Sequence, residues 1–144
     1  MRLEAAMCSR LFAASPVARL ATSGRNGPHV VPIVFALDHD RVVTMVDAKP
    51  KSTRRLQRLA NIAGDSRVAI LVDHFAADWS RLWWVRADGK AEVTDAAEQL
   101  DPARSLLAAK YPQYREQPPP GPLITVTVER WAGWAASPEA VSQP

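Results

Sequence analysis

A single cysteine, Cys8, stands among 144 residues, so neither a disulfide framework nor a Cys-based zinc site can form within the chain. That usage points to a reducing cytoplasm. Long hydrophobic runs are missing as well. The N-terminal stretch MRLEAAMCSRLFAAS interrupts its apolar positions with Glu4 and Arg10, so it reads as an amphipathic helix over residues 2–14 and not as a secretory or membrane-inserting segment. Charge of one sign is scarce: 18 Lys and Arg against 15 Asp and Glu leave a net charge of +3, which does not imply nucleic-acid binding. His29, His39 and His74 are scattered without metal-ligand spacing, and no metal site is expected. Ser9, Ser23 and Ser80 lack a Gly-rich elbow or an adjacent base, which leaves nucleophilic catalysis without support. There are no internal repeats and no low-complexity segment beyond a proline-rich loop.

What is present is a globular composition, 47% hydrophobic and 23% charged, in a length that suits one domain over residues 1–144. After Pro16, VARLATS (17–23) alternates and is β-branched, GRNG (24–27) is turn chemistry, and PHVVPIVFAL (28–37) reads as a strand. Pro32 confines that strand to an edge or a bulge. RVVTMVD (41–47) and RVAILVD (67–73) are further strands, with a helix between them. Asp88-Gly89, flanked by WWVRA and KAEV, is the strongest hairpin signal in the chain. Residues 95–111 read as a helix with Asp95 as N-cap and a kink or restart at Pro102. QYREQPPPGP (113–122) reads as a stiff proline-rich loop, LITVTVERW (123–131) as a final strand, and 135–144 as a flexible tail. About seven strands with short connections favour an antiparallel sheet or small barrel with flanking helices, a mainly β (α+β) fold.

One stretch carries more charge than this frame requires. VDAKPKSTRRLQRLANI places Lys49, Lys51, Arg54, Arg55 and Arg58 around an expected helix start with Pro50 at its first position. Cations at the positive end of a helix dipole are unfavourable, and Lys49 offers no side-chain oxygen as a cap. A phosphate or carboxylate would satisfy the free backbone donors and the lysines together, with the Ser52 and Thr53 hydroxyls as further donors. Solvation of an outer helix face by Lys and Arg is the competing reading. Trp83 and Trp84 point to opposite faces if they lie in a strand, so one of them is left for an interface or a flat ligand.

The order ARLATSGRNGPHVVPIVFALDHDRVVTMV, then a lysine after a short loop, then RRLQRLANIAGDSRVAILVD and DWSRLWWVRADGKAEV, resembles the split β-barrel flavin and deazaflavin proteins of the pyridoxamine 5′-phosphate oxidase-like superfamily. The likeness runs from about Val17 to Val128 and is greatest to the actinobacterial branch that uses coenzyme F420. The resemblance implies a homodimer of split barrels with two cofactor sites at the interface and a small-molecule substrate, without membrane insertion. It implies a ring bed at Val31, Pro32, Ile33, Thr44, Met45 and Val46. Lys51 falls on the family's phosphate-binding lysine, with Ser52, Arg54 and Arg55 as helpers, and Trp79 and Trp83, or the loop containing His74 and Asp78, are the groups implied to reach over the site from the partner chain. Lys49 and Met45-Val46 depart from the family pattern of hydroxyl-bearing residues. The extra cation at Lys49 suits the acidic tail of coenzyme F420 better than the compact phosphomonoester of FMN. An F420-dependent oxidoreductase, delivering a hydride to a conjugated small molecule, is therefore the expected activity, and it needs no nucleophilic constellation because the cofactor carries the chemistry. An FMN-dependent enzyme of the same fold and a non-catalytic carrier or sensor are the alternatives. Arg58, farther along the helix, reads as a surface or dimer contact.

Overall fold

The computed structural model describes residues 1–47 and 56–142. In chain order the described elements are α1 (Ala5–Ala14), β1 (Ala18–Gly24), β2 (Gly27–Ile33), β3 (Ala36–Asp38), β4 (Arg41–Met45), α2 (Gln57–Gly64), β5 (Arg67–His74), β6 (Trp83–Thr94), α3 (Ala97–Lys110), α4 (Gln113–Glu116) and β7 (Leu123–Ala135). Period-two alternation makes the strands: in β1, Ala18, Leu20 and Thr22 are buried while Arg19 and Ser23 face outward. Every pairing is antiparallel, and the strands form one seven-stranded sheet in the order β2-β1-β5-β6-β7-β4-β3.

That order explains the site described below. β2 and β3 are the two edges of the sheet, yet only Val34 and Phe35 separate them in the chain. The sheet must therefore curl until its edges approach each other. The Thr44 hydroxyl on β4 donates to the Val34 carbonyl at 2.8 Å and ties the two sides together. No ladder joins β2 to β3 or β4 among the described residues, so the result is a split-barrel-type sheet that is not closed. Inside it Phe12, Leu20, Phe35, Ile70, Val85 and Val126 are fully buried, each contributing about 1.5–3 kcal/mol of transfer free energy for the larger side chains. The Phe12 ring meets Phe35 at 4.8 Å and Trp131 at 5.1 Å. A second, smaller core of Ala36, Val43, Met45, Leu100, Ala103, Leu107 and Leu123 lies under α3.

Several local expectations are corrected. Asp88-Gly89 is not a hairpin turn: β6 runs unbroken from Trp83 to Thr94, and its register against β7 shifts between Asp88 and Gly89. A bulge accounts for the glycine, because a Cβ there would sit 2.1 Å from the Thr127 carbonyl oxygen. The strand expected over 28–37 is two strands, with Pro32 in edge strand β2. α1 begins at Ala5, since Arg2 is drawn into a bridge with Trp134. Asp95 does not cap α3; the Thr94 hydroxyl accepts from the Ala96 amide at 3.0 Å instead, and the helix passes through Pro102 without restarting. The proline-rich loop opens with α4. β7 extends to Ala135, and Pro138–Val141 form a 3-10 turn with Val141 buried, so the expected tail is packed as far as it is described. α2 starts at Gln57 after an extended Leu56, and Pro50, the expected helix start, lies outside the described residues. Lys49, Lys51, Ser52, Arg54 and Arg55 lie outside the described residues. Among the described residues no helix is long and apolar enough to cross a membrane.

Candidate functional site

A cleft of about 430 Å³ opens in the split between β2 and β4, lined by Val17, Val31, Pro32, Ile33, Val34, Thr44, Met45, Asp47, Arg58 and Tyr114. Its walls are apolar because they are the ends of two strands whose inward residues already belong to the barrel: Ile33 and Met45 are buried and Val31 is half-buried. Thr44 adds no free polar group, its hydroxyl being committed to Val34. Polar chemistry gathers at one end, where Asp47 follows β4, Arg58 rises from the first turn of α2, and Tyr114 descends from α4.

These three side chains interact. The Tyr114 hydroxyl donates to the Asp47 carboxylate. Burial, together with that hydrogen bond, pushes the phenol well above its ordinary value, so it stays a neutral donor. Burial pulls the Arg58 guanidinium down from its usual range, and the charge of Asp47 opposes that shift. Among the described residues Arg58 makes no ion pair with a carboxylate. It is thus a half-desolvated cation, at the positive end of a helix, in the field of a carboxylate that another residue holds.

The wall behind the cleft is fixed by the end of α3. The Tyr111 hydroxyl accepts from the Phe35 amide at 3.1 Å and lies 2.9 Å from the carbonyls of Phe35 and Pro16. Lys110 donates to the Ser15 carbonyl at 2.7 Å with its Nζ 3.8 Å from the centre of the Phe35 ring, and burial pushes the ammonium down to about 8. The Tyr111 and Tyr114 rings meet edge to face at 6.0 Å. The short run Lys110 to Tyr114 therefore pins the end of α1, the β2–β3 link and the end of β4 at once.

Of the residues expected at a cofactor ring, Val31, Pro32, Ile33, Thr44 and Met45 come together in the cleft. Val46 is next to it but spends its backbone on Pro122 and Gly121, with hydrogen bonds of 3.1 and 3.3 Å. Trp79 is 71% exposed, outside the cleft of its own chain, with its ring edge-on to Phe75 at 6.4 Å. Sequence reasoning passed over Asp47, Arg58 and Tyr114. Counted from Pro50, Arg58 falls well along a helix, whereas α2 begins at Gln57 and carries Arg58 in its first turn. Nothing local links Tyr114 to Asp47, 67 positions earlier.

A second hollow, of about 600 Å³, lies on the outer face of β1, β2, β5 and β6. Ala21, Val30, Ala69, Leu71, Phe75 and Trp84 supply its apolar surface. Val30 is 59% and Phe75 68% exposed, a large apolar area for a free surface. The Arg19–Asp73 and Arg86–Asp88 pairs stand on the same strands, and the Arg86 guanidinium lies 6.0 Å from the Trp84 ring centre.

Comparison with solved structures gives this fold repeatedly. A FAD-binding protein from Mesorhizobium loti superposes with a TM-score of 0.72 at 19% identity, covering 92% of this chain and 95% of its own. A conserved hypothetical protein from Mycobacterium tuberculosis gives 0.75 at 20% identity over 99% and 89% of the two chains. A FAD-binding protein from Mycobacterium smegmatis gives 0.65 at 19% identity over 93% and 96%. At such identities the likeness is one of fold. No curated protein matches the chain. The family described as pyridoxamine 5′-phosphate oxidase, however, matches residues 6–135, nearly the whole of the barrel. The chain therefore belongs to the pyridoxamine 5′-phosphate oxidase family.

Proposed function

We propose that this chain is an oxidoreductase that binds a flavin-type cofactor in the β2/β4 cleft, the cofactor being the deazaflavin F420 and the substrate a conjugated small molecule. The observation that carries this reading is the cleft itself: a slot of ligand size, apolar along its two strands, with the Arg58 cation beside Asp47 and Tyr114 at one end, which fits a flat ring bearing an anionic tail. The residues present thus suit the cofactor class. When bound, a reduced deazaflavin supplies the hydride. Val31, Pro32, Ile33 and Met45 shield one ring face from water, and Arg58 attracts the anionic part of the tail. Lys49, Lys51, Ser52, Arg54 and Arg55 remain the proposed phosphate ligands by family resemblance.

The same reading includes a homodimer with the cofactor sites at its interface. The exposed apolar face of Val30, Leu71, Phe75 and Trp84 supports it, because a second copy would remove that surface from water. Trp79, projecting from the turn beside Phe75, is then the residue offered to the partner's cleft.

Titration of the purified protein with F420 and with FMN, followed by fluorescence, tests the cofactor. Micromolar or tighter binding of F420 is expected, and binding of neither would overturn the reading. Yellow protein on purification would identify the FMN-dependent alternative. Tight binding of F420 without oxidation of its reduced form by any acceptor would identify a carrier.

A further inference from the structure

The polar end of the cleft contains a group that an anion-binding site should not need. Asp47 shares the lining with Arg58, and a carboxylate there repels whatever anion the guanidinium attracts. It does not pair directly with Arg58. The Tyr114 hydroxyl holds it instead, from an α4 that is itself fastened by Arg115 to the Ala108 and Ala109 carbonyls at 2.8 and 3.3 Å. Within the lining, the charged and titratable groups facing Asp47 are Arg58 of α2 and Tyr114 of α4, with Tyr111 of α3 edge-on behind Tyr114. Two consequences follow from this placement. Arg58 stays available to a ligand, because its nearest carboxylate is tied elsewhere. A fixed negative charge nevertheless remains beside the anion.

We infer that Asp47, latched by Tyr114, filters ligands of the cleft by phosphate charge, penalising doubly charged phosphomonoesters about twice as heavily as singly charged phosphodiesters. The inference rests on the proposed cofactor reading of the same cleft. Repulsion by Asp47 scales with the charge on the ligand. A phosphomonoester carries close to two negative charges at pH 7, with a second pKa of about 6, whereas the phosphodiester of F420 and each phosphate of the FAD diphosphate carry one. The basic residues of the chain cannot make this distinction, since attraction favours the dianion. A nearby carboxylate offsets that attraction, and by about twice as much for a dianion as for a monoanion. The latch has a separate role: released from Tyr114, Asp47 is free to turn onto Arg58 and occupy the anion's place.

The experiment compares dissociation constants for riboflavin, FMN, FAD and F420 at pH 7.5 with wild type, Asp47→Asn, Tyr114→Phe and the double variant, with circular dichroism confirming each fold. The side-chain amide of Asp47→Asn keeps an acceptor for Tyr114 and removes the charge. Because the repulsive energy doubles with the charge, a gain of about threefold for F420 should accompany about ninefold for FMN, and riboflavin should not change. The roughly ninefold gain of FMN in Asp47→Asn should fall towards about threefold at pH 5.5, where the monoester takes up a proton, while the gain of F420 should not change. Tyr114→Phe should weaken FMN, FAD and F420 while sparing riboflavin, and adding Asp47→Asn should restore them. Equal gains for FMN and F420 in Asp47→Asn, or no rescue in the double variant, would overturn the filter and leave the cofactor reading intact. Failure of all four ligands to bind wild type would overturn both.

Discussion

The β2/β4 cleft and the outer face of β1, β2, β5 and β6 are both hollows bordered by strand surfaces, yet the outer face is mainly apolar and the cleft mixed, and they suit different occupants. The cleft is the smaller, about 430 against 600 Å³, and its polar groups are concentrated at one end as a cation without an ion-pair partner among the described residues and a tethered carboxylate. On the outer face the charged groups are already paired within the chain, Arg19 with Asp73 and Arg86 with Asp88. Satisfied charges around exposed apolar surface suit another protein surface. A half-desolvated cation in a slot suits a small anion. Polarity and the distribution of charge, more than size, separate the two.

The sharpest way to break this comparison is to charge the face. Leu71, 37% exposed at its centre, becomes buried if a second copy docks there, and Leu71→Asp should then cost about 3 kcal/mol or more, over about a hundredfold in the dimer dissociation constant. Sedimentation velocity reads the result. A variant with unchanged mass would remove the face as an interface, and a monomer that retains full F420 affinity would separate the cleft from it.

Arg58→Gln tests the other side. Losing a charge-assisted contact of about 1.5–3 kcal/mol should weaken anionic ligands by about tenfold to a hundredfold while leaving riboflavin alone. Calorimetric titration distinguishes this from a general collapse of the slot, which would weaken all ligands together.

The seam between the two edges of the sheet can be loosened without touching either charge. Thr44→Val leaves the Val34 carbonyl without its donor, at a cost of about 1–2 kcal/mol in unfolding free energy. Urea denaturation should show the loss, and the outer face should be unaffected.

The smallest effect concerns pH. Lys110 is held near pKa 8 by burial behind the cleft wall, against an ordinary 10.5. Between those values the unfolded chain binds more protons than the native one, so stability should rise as pH increases from about 8 towards 10. Above pH 10 the raised Tyr111 and Tyr114 work in the opposite direction, since the native state then holds protons that the unfolded chain releases. Lys110→Met should flatten the lower limb in thermal melts. A limb that persists unchanged would assign the pH dependence to other groups.

Much of the fold was legible because it depends on local periodicity. Alternating runs marked β1 and β7, a short apolar run marked β5, and Pro32 limited its strand to an edge or a bulge, of which the structure has the edge. The errors arose where one residue type serves two geometries. Asp-Gly marks hairpin turns and bulges alike, and the passage of the β7 backbone over Gly89 decided between them. The site was legible in its apolar half, Val31 to Ile33 and Thr44 to Met45, because strand positions carry their neighbours with them. Its polar half joins residues 47, 58 and 114 from three separate elements, and no spacing encodes that.

The sequence by itself determined an antiparallel, mainly β fold, an apolar strand pair beside a basic segment, and family membership that its wording already suggested. All of these follow from residue types read over short windows. Only the tertiary structure decided that the two sheet edges meet at Val34 and Phe35 to leave a cleft, that Arg58 lines it, and that Tyr114 restrains Asp47 there. The physical reason is that burial and Coulomb fields depend on distances in space, and curling an open sheet brings together groups that the chain keeps far apart.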